Sequence, residues 1–375
     1  MMKVLVVGLA EEIGGIENLF YNLLKEQIEN CLFDFLAFGK KCAYEEFFIS
    51  QGARVYHMPT RKSTPFTFNR KVKKFLIEHN NYDYIWFNTA STSMYQFQYY
   101  GKKCTRAKII THSHGTSIDR NNGILLFGLN KILEIVNRPK VVKNTDLFFC
   151  CSIAAGKALY GKAYEKDLIL IKNGIEIEKY KFSIDARNMK RKELEINSKT
   201  TVLALIGRLS PQKNPIKAIQ IYEKYVSKHP DSFLLIVGDG EMKKDVISLI
   251  REKGLTDRVK MLGFRSDVSE IMSCADILLM PSLFEGLPLT AIEAECNGLK
   301  CFLSDTITQE TKITDECFFI PITESDQKWV DIIENSTKYF TERKESYLRV
   351  LENKYSIDET RKNVRNILIG EKKDV

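Results

Sequence analysis

No apolar run of this 375-residue chain reaches the roughly 18 residues that a bilayer-spanning helix requires, which argues against a helical membrane protein. The opening segment 2–8 is apolar but too short for the core of a secretory signal, and Glu11 and Glu12 follow it directly. We therefore expect this segment to form the first buried strand of a sheet.

Cysteine and histidine are too sparsely arranged for a metal centre. The nine cysteines show no paired metal-ligand spacing, and the adjacent Cys150 and Cys151 are expected to pack in a core. The five histidines include His112 and His114, but no third ligand stands beside them. These features favour a protein without a metal, in a reduced cytosolic compartment.

Size and patterning predict two globular domains. The chain is too long for one ordinary core, and 44% hydrophobic with 28% charged residues is typical of globular proteins. We expect strands at 3–7, 32–38, 54–58, 84–88, 108–112 and 147–151, and then at 201–206, 233–237, 259–262, 277–280 and 300–303. Helices are expected between them, for example at 16–29, 69–78, 215–229 and 242–253. Apolar strands linked by helices predict two parallel sheets, each in a Rossmann-like domain. The boundary is expected near Asn173-Gly174 or within 185–200.

The net charge of +8 is concentrated in the first half. Basic clusters lie at 61–74, 102–108 and 131–143, and the third flanks the apolar stretch Ile124-Leu125-Leu126-Phe127. Each cluster alone suits a solvated face. Together they are interleaved with apolar side chains and suit an anionic membrane surface; these side chains are Phe66, Phe68, Phe75, Phe127 and Leu129. Nucleic acid would favour the same charge pattern, but no nucleic-acid motif accompanies it.

The most informative segment is 281–293, Pro-Ser-Leu-Phe-Glu-Gly-Leu-Pro-Leu-Thr-Ala-Ile-Glu, which follows the predicted strand 277–280 and enters a helix. Pro288 suits a first helical turn, whose N–H groups and positive dipole end would cradle a phosphate. Glu285 lies in the loop and Glu293 about two turns into the helix. One carboxylate would accept hydrogen bonds from sugar hydroxyls and the other from a ribose, which indicates a nucleotide-sugar site. By spacing alone, an ordinary loop charge and a solvated helix face are equally open.

A second segment, Gly207-Arg208-Leu209-Ser210-Pro211-Gln212-Lys213, follows the predicted strand 201–206. Arg208 would offer a planar fork, and Lys213 a point charge, to a diphosphate. When the bond between a sugar and a nucleoside diphosphate breaks, such cations stabilise the leaving phosphate more than the ground state. The alternative is a surface loop with two cations.

Two segments of the first half also follow predicted strands. Gly14 and Gly15 open a helix, where glycine allows close approach and a helix start favours an anion, although such pairs also occur in plain turns. His114, with His112 as the second choice, would hold a sugar hydroxyl or steer an acceptor. A structural histidine with a satisfied hydrogen bond is the alternative.

These segments resemble the signature of glycosyltransferase family four, the retaining nucleotide-sugar transferases of the GT-B fold, most closely over 203–310. The resemblance implies an α/β protein with two Rossmann-like parallel-sheet domains that face each other across a cleft. The domains would be 1–175, which binds the acceptor, and 176–355, which binds the nucleotide sugar. The helix within 356–375 would cross back to the first domain.

The resemblance also implies roles for the site residues. Those with a catalytic role would be Glu285, His114, Arg208 and Lys213. The donor would also contact Gly14, Gly15, Gly286, Leu287, Pro288, Leu289 and Glu293. Phe264 and Arg265 would pass beside the nucleotide base, which their loop reads largely through backbone groups, and Asp267 or Ser266 would cap the next helix.

One more absence fits this interpretation. No two aspartates are separated by a single residue, whereas the other large glycosyltransferase architecture usually binds a metal through Asp-x-Asp. We therefore expect no required cofactor, with the donor phosphates held by Arg208, Lys213 and helix ends. No side chain is an obvious covalent nucleophile, so the expected mechanism is front-face displacement assisted by the leaving phosphate.

The activity implied is transfer from a nucleotide-diphosphate sugar, with UDP-sugars favoured, to a saccharide acceptor. A lipid-linked acceptor at the inner face of the cell membrane is expected, as in bacterial exopolysaccharide or capsule synthesis, and no nucleic acid. Within enzymes, the alternatives are a transferase for a soluble acceptor and a hydrolysing nucleotide-sugar epimerase. Outside enzymes, the alternative is a catalytically silent subunit that binds nucleotide sugar and activates another transferase.

Overall fold

The computed structural model describes residues 1–115, 124–337, 343 and 345–371, with the backbone alone over 124–131. The side chains of the apolar stretch 124–127, of Leu129 and of Lys131, assigned above to a membrane surface, lie outside the described residues. Two compact units divide the chain: Met1–Gly174 with Ile357–Val375, and Ile175–Ser356. Over the part of the chain that is described, no helix is both long and apolar enough to cross a bilayer.

The first unit is built on a seven-stranded parallel sheet of order β3-β2-β1-β4-β5-β6-β7. Its strands are β1 (Met2–Leu9), β2 (Cys31–Phe38), β3 (Val55–Met58), β4 (Tyr84–Thr89), β5 (Lys108–Ser113), β6 (Leu147–Cys150) and β7 (Leu168–Leu170). Its helices are α1 (Gly15–Leu24), α2 (Glu45–Ser50), α3 (Phe68–Glu78), α4 (Gln96–Cys104), α5 (Ile124–Lys143) and α6 (Ile153–Tyr160), with a 3₁₀ turn at Lys162–Asp167.

Helical spacing accounts for the packing of α1 on this sheet. Leu19, Phe20, Leu23 and Leu24 recur every three or four residues and are buried together with Val4 and Val6 of β1. The basic helix α3 buries Phe68, Val72 and Leu76 by the same spacing, which leaves its lysines and arginines on the other faces.

The second unit holds a six-stranded parallel sheet of order β10-β9-β8-β11-β12-β13. Its strands are β8 (Thr201–Ile206), β9 (Ser232–Val237), β10 (Val259–Gly263), β11 (Ile277–Met280), β12 (Lys300–Ser304) and β13 (Cys317–Ile320). Its helices are α7 (Ile177–Tyr180), α8 (Ile184–Glu193), α9 (Pro215–Lys228), α10 (Lys243–Glu252), α11 (Val268–Cys274), α12 (Leu289–Cys296), α13 (Asp326–Thr337) and α14 (Ser346–Glu352), with a 3₁₀ turn at Gln309–Thr311.

The last helix, α15 (Ile357–Ile369), belongs to the first unit although it follows the second along the chain. Ile357, Val364 and Leu368 are buried in the core that contains α1 and β1. Arg361 fixes the contact, because its Nε donates to the carbonyl oxygen of Leu23 over 3.1 Å.

Strand order locates the ligand-binding edge of each sheet. In the first unit β1 lies between β2 and β4, and in the second β8 lies between β9 and β11. The connections therefore run in opposite directions on the two sides of β1 and of β8. Parallel α/β sheets bind ligands outside the carboxyl ends of the strands at such a switch point. The loops after β1, β4, β8 and β11 are thus the first places to look for a site.

Every strand predicted from the sequence is present, and β8 and β11 have the predicted bounds. Two strands, β7 and β13, were missed; they have three and four residues, and each lies at the edge of its sheet. The fold-class prediction of two Rossmann-like parallel-sheet domains is confirmed.

Candidate active site

In the second unit, the residues predicted to hold phosphate and sugar lie at the switch point between β8 and β11. Arg208 follows the end of β8, and Glu285 follows the end of β11. The two loops are joined directly, because the Leu283 N–H donates to the carbonyl oxygen of Gln212 over 2.8 Å. Arg208 is exposed, whereas Glu285 is buried with 7% of its surface accessible.

Lys213 and Glu285 form an ion pair in this region. The Lys213 Nζ lies 2.7 Å from Glu285 Oε1. Gln212 Nε2 donates to the other carboxylate oxygen over 3.3 Å and to the carbonyl oxygen of Phe284 over 3.0 Å. A largely buried carboxylate with an ammonium and an amide on it is held in one orientation. The structure thus brings two of the predicted catalytic residues together.

Two glycines support the loop that carries Arg208. Added Cβ atoms at Gly238 and Gly240 would lie 2.0 Å from the carbonyl oxygen of Gly207 and 2.5 Å from that of Leu209. The Leu209 N–H also donates to the carbonyl oxygen of Asp239 over 2.9 Å. The Gly-x-Gly after β9 is therefore needed for the close approach of two backbones, and it fixes where Arg208 leaves the sheet.

The loop after β11 is tied to the end of β12. The Ser282 carbonyl oxygen accepts hydrogen bonds from the Ser304 hydroxyl and, over 2.8 Å, from the Thr306 hydroxyl. Pro288 is the N-cap of α12, one residue before the first turn where its sequence placed it, so Leu289 opens the helix. The first N–H groups of α12 have no partner within the helix itself, which gives this end its capacity for an anion.

Glu293 lies on the second turn of α12 and is partly buried. Burial raises the pKa of its carboxyl to about 7, and a hydrogen bond with the Tyr180 hydroxyl acts in the opposite direction. Tyr180 lies on α7, and burial together with this carboxylate raises the pKa of its hydroxyl above the ordinary range. Glu293 is thus a partly buried acid with a hydrogen-bond partner in Tyr180, not the solvated helix charge that its sequence left open.

The loop after β10 holds Phe264 and Arg265 in different environments. Phe264 is 76% exposed. The Arg265 guanidinium donates to Asp267 over 2.7 and 2.5 Å and to Glu193 over 3.1 Å. Asp267 is the N-cap of α11 as predicted, but its carboxylate makes no capping hydrogen bond. The side chain of Arg265 is therefore already bonded within the protein, and the place of this loop beside a nucleotide base stays a prediction.

In the first unit, the glycine pair after β1 is shaped by a residue that the sequence analysis did not select. The Glu17 carboxylate, 4% exposed, accepts from the Gly14 N–H over 3.0 Å and from the Ala10 N–H over 2.8 Å. A Cβ at Gly14 would lie 2.9 Å from Glu17 Oε2, whereas a Cβ at Gly15 would meet nothing within 4 Å. The Glu17 carboxylate thus caps the start of α1 from its third position, and open space lies beside Gly15.

The two histidines within and directly after β5 differ in exposure. His112 is fully buried, and its Nδ1 lies 3.3 Å from the indole nitrogen of Trp86, which donates. His114 is partly exposed, and its Nε2 lies 2.9 Å from Asn88 Oδ1. The amide nitrogen of Asn88 donates to the carbonyl oxygen of Val7 over 3.2 Å, so Oδ1 is an acceptor and the proton of His114 belongs on Nε2.

Burial lowers the pKa of both imidazoles, that of His114 to about 3, so both rings are neutral near pH 7. Nδ1 of His114 is then a hydrogen-bond acceptor in a partly exposed position. This atom could accept a hydrogen bond from a sugar hydroxyl, which favours the first choice, His114, over His112.

Several positioning residues were missed by the sequence analysis. Gln212 lies inside a segment that was selected, but its role depends on the loop after β11. Tyr180 and Asn88 lie outside the selected segments, and no spacing rule connects them to Glu293 or His114. Glu17 lies three residues after Gly14, and this capping spacing could have identified it. Across the described ranges, no cluster of three His, Cys, Asp or Glu side chains could hold a metal ion.

Comparison with known proteins agrees with this geometry. Residues 186–339 match the family model described as glycosyl transferases group 1. EpsF of Bacillus subtilis (strain 168), provisionally named a glycosyltransferase, is 27% identical over 308 residues, which cover 79% of this chain and 77% of EpsF. An Escherichia coli UDP-Gal:alpha-D-GlcNAc-diphosphoundecaprenol alpha-1,3-galactosyltransferase is 36% identical over 140 residues, 36% of each chain.

The fold has solved counterparts as well. Anabaena HepE, crystallised with UDP and glucose, superposes with a TM-score of 0.79 over 99% of this chain and 100% of its own, at 18% identity. That likeness shows the fold, and the family match lies in the unit that holds Arg208, Lys213 and Glu285. The chain is therefore a glycosyltransferase of the GT-B fold, with a group 1 glycosyl transferase domain at residues 186–339.

Proposed function

We propose that this glycosyltransferase moves a sugar from a UDP-sugar to a lipid-linked saccharide, with retention of the anomeric configuration, during synthesis of a bacterial surface polysaccharide. The main support for donor binding is the Lys213–Glu285 ion pair, which lies at the switch point between β8 and β11. It sets a cation and a carboxylate side by side where a parallel sheet binds its ligand.

Charge at this site matches what the reaction develops. As the bond between the sugar and the diphosphate breaks, negative charge grows on the phosphate and positive charge on the sugar. Arg208 and Lys213 would stabilise the phosphate, and the start of α12 would add N–H donors. Glu285 would face the transferred sugar and at the same time fix Lys213 through their 2.7 Å contact. Glu293 would accept from the ribose hydroxyls.

The proposal for acceptor binding is supported by a histidine of the first unit. Nδ1 of His114 is an acceptor in a fixed ring, because Nε2 is bound to Asn88. Such an atom can orient an acceptor hydroxyl without carrying charge. A neutral imidazole suits this task, since a cation there would oppose the positive charge that develops on the sugar.

The nature of donor and acceptor is supported by the relatives. The Escherichia coli relative is named for UDP-galactose and a diphosphoundecaprenol-linked acceptor, and Anabaena HepE was crystallised with UDP. The side chain of Phe66 is 98% exposed within the basic cluster 61–74, which suits peripheral contact with an anionic bilayer from the cytoplasmic side. Phe68, by contrast, is buried in the core and cannot take part.

Nucleotide-sugar binding is tested first by thermal shift. A ligand at a hundredfold excess over its Kd stabilises by about 2.7 kcal/mol, so the right UDP-sugar should raise the melting temperature clearly above that with the corresponding free sugar. Glu293→Gln should lose most of the shift, because its carboxylate would accept from the ribose already in the ground state. Glu252→Gln, which neutralises an exposed glutamate at the end of α10, is the matched control and should keep it.

Catalysis is tested next with the stabilising donor and an undecaprenyl-diphosphate-linked sugar. Release of UDP that depends on this acceptor, with a product whose anomeric proton keeps the donor configuration by NMR, is the expected result. Binding without transfer or donor hydrolysis would favour the catalytically silent subunit. Transfer only to a soluble saccharide would remove the lipid-linked acceptor from the proposal.

A further inference from the structure

A groove of about 590 Å³ lies in the first unit between α4 and the end of α5. Its lining includes Tyr95, Tyr99, Tyr100, Pro139, Lys140 and Lys143. None of the groove's lining residues is acidic. Its volume is that of a small-molecule site, which typically lies between 300 and 1,000 Å³. Arg208, Lys213 and Glu285 lie in the other unit, and no residue that was given a donor role lines the groove.

Three tyrosine rings give the groove a partly apolar wall. The Tyr95 and Tyr99 ring centroids are 6.3 Å apart, those of Tyr99 and Tyr100 are 5.1 Å apart, and both pairs meet edge to face. All three side chains are only partly buried, so ring surface remains available to a ligand. An aromatic ring with a hydroxyl offers an apolar face and a polar tip at once. A sugar or another polyol ring, with apolar C–H faces and polar edges, has the matching character.

Two ammonium groups stand beside these rings. Lys140 Nζ lies 4.6 Å from the centre of the Tyr95 ring, and the side chains of Lys140 and Lys143 are both exposed. Among the described residues, no carboxylate is within ion-pair distance of either lysine, whereas nearby Lys102 is paired with Asp146 at 2.5 Å. Two lysines three residues apart on one helix thus carry positive charge that no described carboxylate offsets, which suits a phosphate.

The part of the groove wall that α5 forms includes a proline, which destabilises the helix. Pro139 stands inside the helix and lines the groove, although a proline there costs roughly 3 kcal/mol relative to alanine. Towards the other end of the same helix, Ile132, Ile135 and Val136 are more than half exposed. Their spacing places them on the face that carries Lys140 and Lys143. An exposed apolar stripe therefore continues from the basic end of the groove.

We propose that this groove binds a phosphorylated saccharide, with its ring against Tyr95 and Tyr99 and its phosphate at Lys140 and Lys143. The same chemistry is available from a soluble sugar phosphate and from the head group of a phosphate-linked lipid, whose chain would follow the apolar stripe of α5. The experiment separates these two sources.

The test measures binding by the full-length protein with UDP held in large excess, so that a nucleotide site in the second unit is occupied. The soluble probe is α-D-glucose 1-phosphate, titrated by calorimetry beside inorganic phosphate and glucose. The lipid probe is a phosphatidylcholine vesicle that carries phosphatidylinositol, measured by flotation. The variants are Lys140→Ala/Lys143→Ala, Tyr95→Ala and Tyr95→Phe. Lys162→Ala/Lys166→Ala, which removes the same charge from exposed positions of the same unit, is the control.

Glucose 1-phosphate should bind more tightly than phosphate or glucose alone. The Lys140/Lys143 variant should weaken it about tenfold or more, since charge-assisted hydrogen bonds are lost. Tyr95→Ala should weaken it several-fold, while Tyr95→Phe and the control should not. If the vesicle binds with the same variant pattern and the soluble probe does not, the site takes a lipid head group. Equal binding by the parent protein and the Lys140/Lys143 variant in both arms would overturn the proposal. So would phosphate binding as tight as that of glucose 1-phosphate and insensitive to Tyr95→Ala.

Discussion

The Lys213 ammonium lies 2.7 Å from the Glu285 carboxylate, so the two residues act as one unit before any donor is bound. Glu285 holds Lys213 at the end of its loop, and Lys213 offsets the cost of burying Glu285. Removing one partner therefore also changes the other, and single substitutions at the two positions should be strongly non-additive.

Glu285→Gln should lower kcat by about 100-fold, or roughly 2.7 kcal/mol, with a smaller effect on the donor KM. The amide keeps the shape of the side chain but loses the negative charge near the developing cation. Steady-state kinetics with the donor varied provide the measurement, and Glu252→Gln on α10 is the matched control. A folded Glu285→Gln variant that transfers at the parent rate would show that the central assignment is wrong.

Arg208→Ala should also act mainly on kcat, because its cation faces charge that appears only as the phosphate leaves. Its exposure makes a folding defect unexpected, and the melting temperature should stay within a degree or two of the parent value. Arg251→Ala should change neither quantity. If the variant instead lost UDP binding and kcat/KM to the same extent while kcat stayed unchanged, Arg208 would bind the ground state and the transition state equally.

Glu293→Gln should mainly raise the donor KM, since the ribose does not change during the reaction. A second effect follows from the raised pKa of Glu293, about 7 against an ordinary 4.5. The folded protein prefers the protonated acid. The contribution of Glu293 to the free energy of unfolding is therefore fully present below pH 4.5 and is lost as the pH rises towards 7.

The parent protein should accordingly melt lower at pH 8 than at pH 5, and Glu293→Gln should reduce that difference. The pKa shift sets an upper bound of about 3 kcal/mol. Glu295, buried on the same helix, has a pKa raised to about 7 by burial and adds a similar slope, which the variant should retain. Melting curves across this range decide the matter. An unchanged pH slope in the variant would mean that Glu293 is ionised throughout.

Activity should survive EDTA. The proposed phosphate partners are Arg208, Lys213 and the start of α12, which need no metal ion. The assay compares turnover before and after chelation, with added Mn²⁺ or Mg²⁺ as the reciprocal arm. Complete loss on chelation, restored by either ion, would contradict the role given to the two cations.

Phe66→Ser should weaken partition onto anionic vesicles, because this side chain is 98% exposed within the basic cluster 61–74. Binding by the parent protein should fall as salt screens the cluster. Met189→Ser, which removes a 73% exposed apolar side chain from the second unit, is the control and should partition like the parent. Equal partition of the parent onto neutral and anionic vesicles at any salt concentration would end this interpretation.

The fold could be predicted to a large extent because buried parallel strands are uninterrupted apolar runs. Segments such as Val202–Ile206 and Ile277–Met280 have few other interpretations, and the loops after them name the ligand edge. Two of the four edge strands, β7 and β13, were not found in this way; they have three and four residues and are only partly buried, so their apolar signal is weak.

The site was predicted less completely. Phosphate-binding cations and sugar-binding carboxylates are signalled by residue type and by their place after a strand. Their partners are not, because Tyr180 reaches Glu293 from α7, and Asn88 reaches His114 from another strand end. The guanidinium of Arg265 is bonded to Asp267 and Glu193, and the place of its loop beside a nucleotide base stays a prediction. Residue identity gives the candidates, and three-dimensional pairing decides which of them are available.

Finally, the position of α15 sets an order on synthesis. Its side chains Ile357, Val364 and Leu368 complete the core of a unit whose strands are made first. During translation, that core therefore stays incomplete, with the apolar surface that α15 covers exposed, until the whole of the second unit has been synthesised. A fragment that stops at Gly174 would keep this face open permanently and should aggregate, whereas the fragment Ile175–Ser356 lacks no part of its own core. Separate expression of the two halves should thus succeed for only one of them.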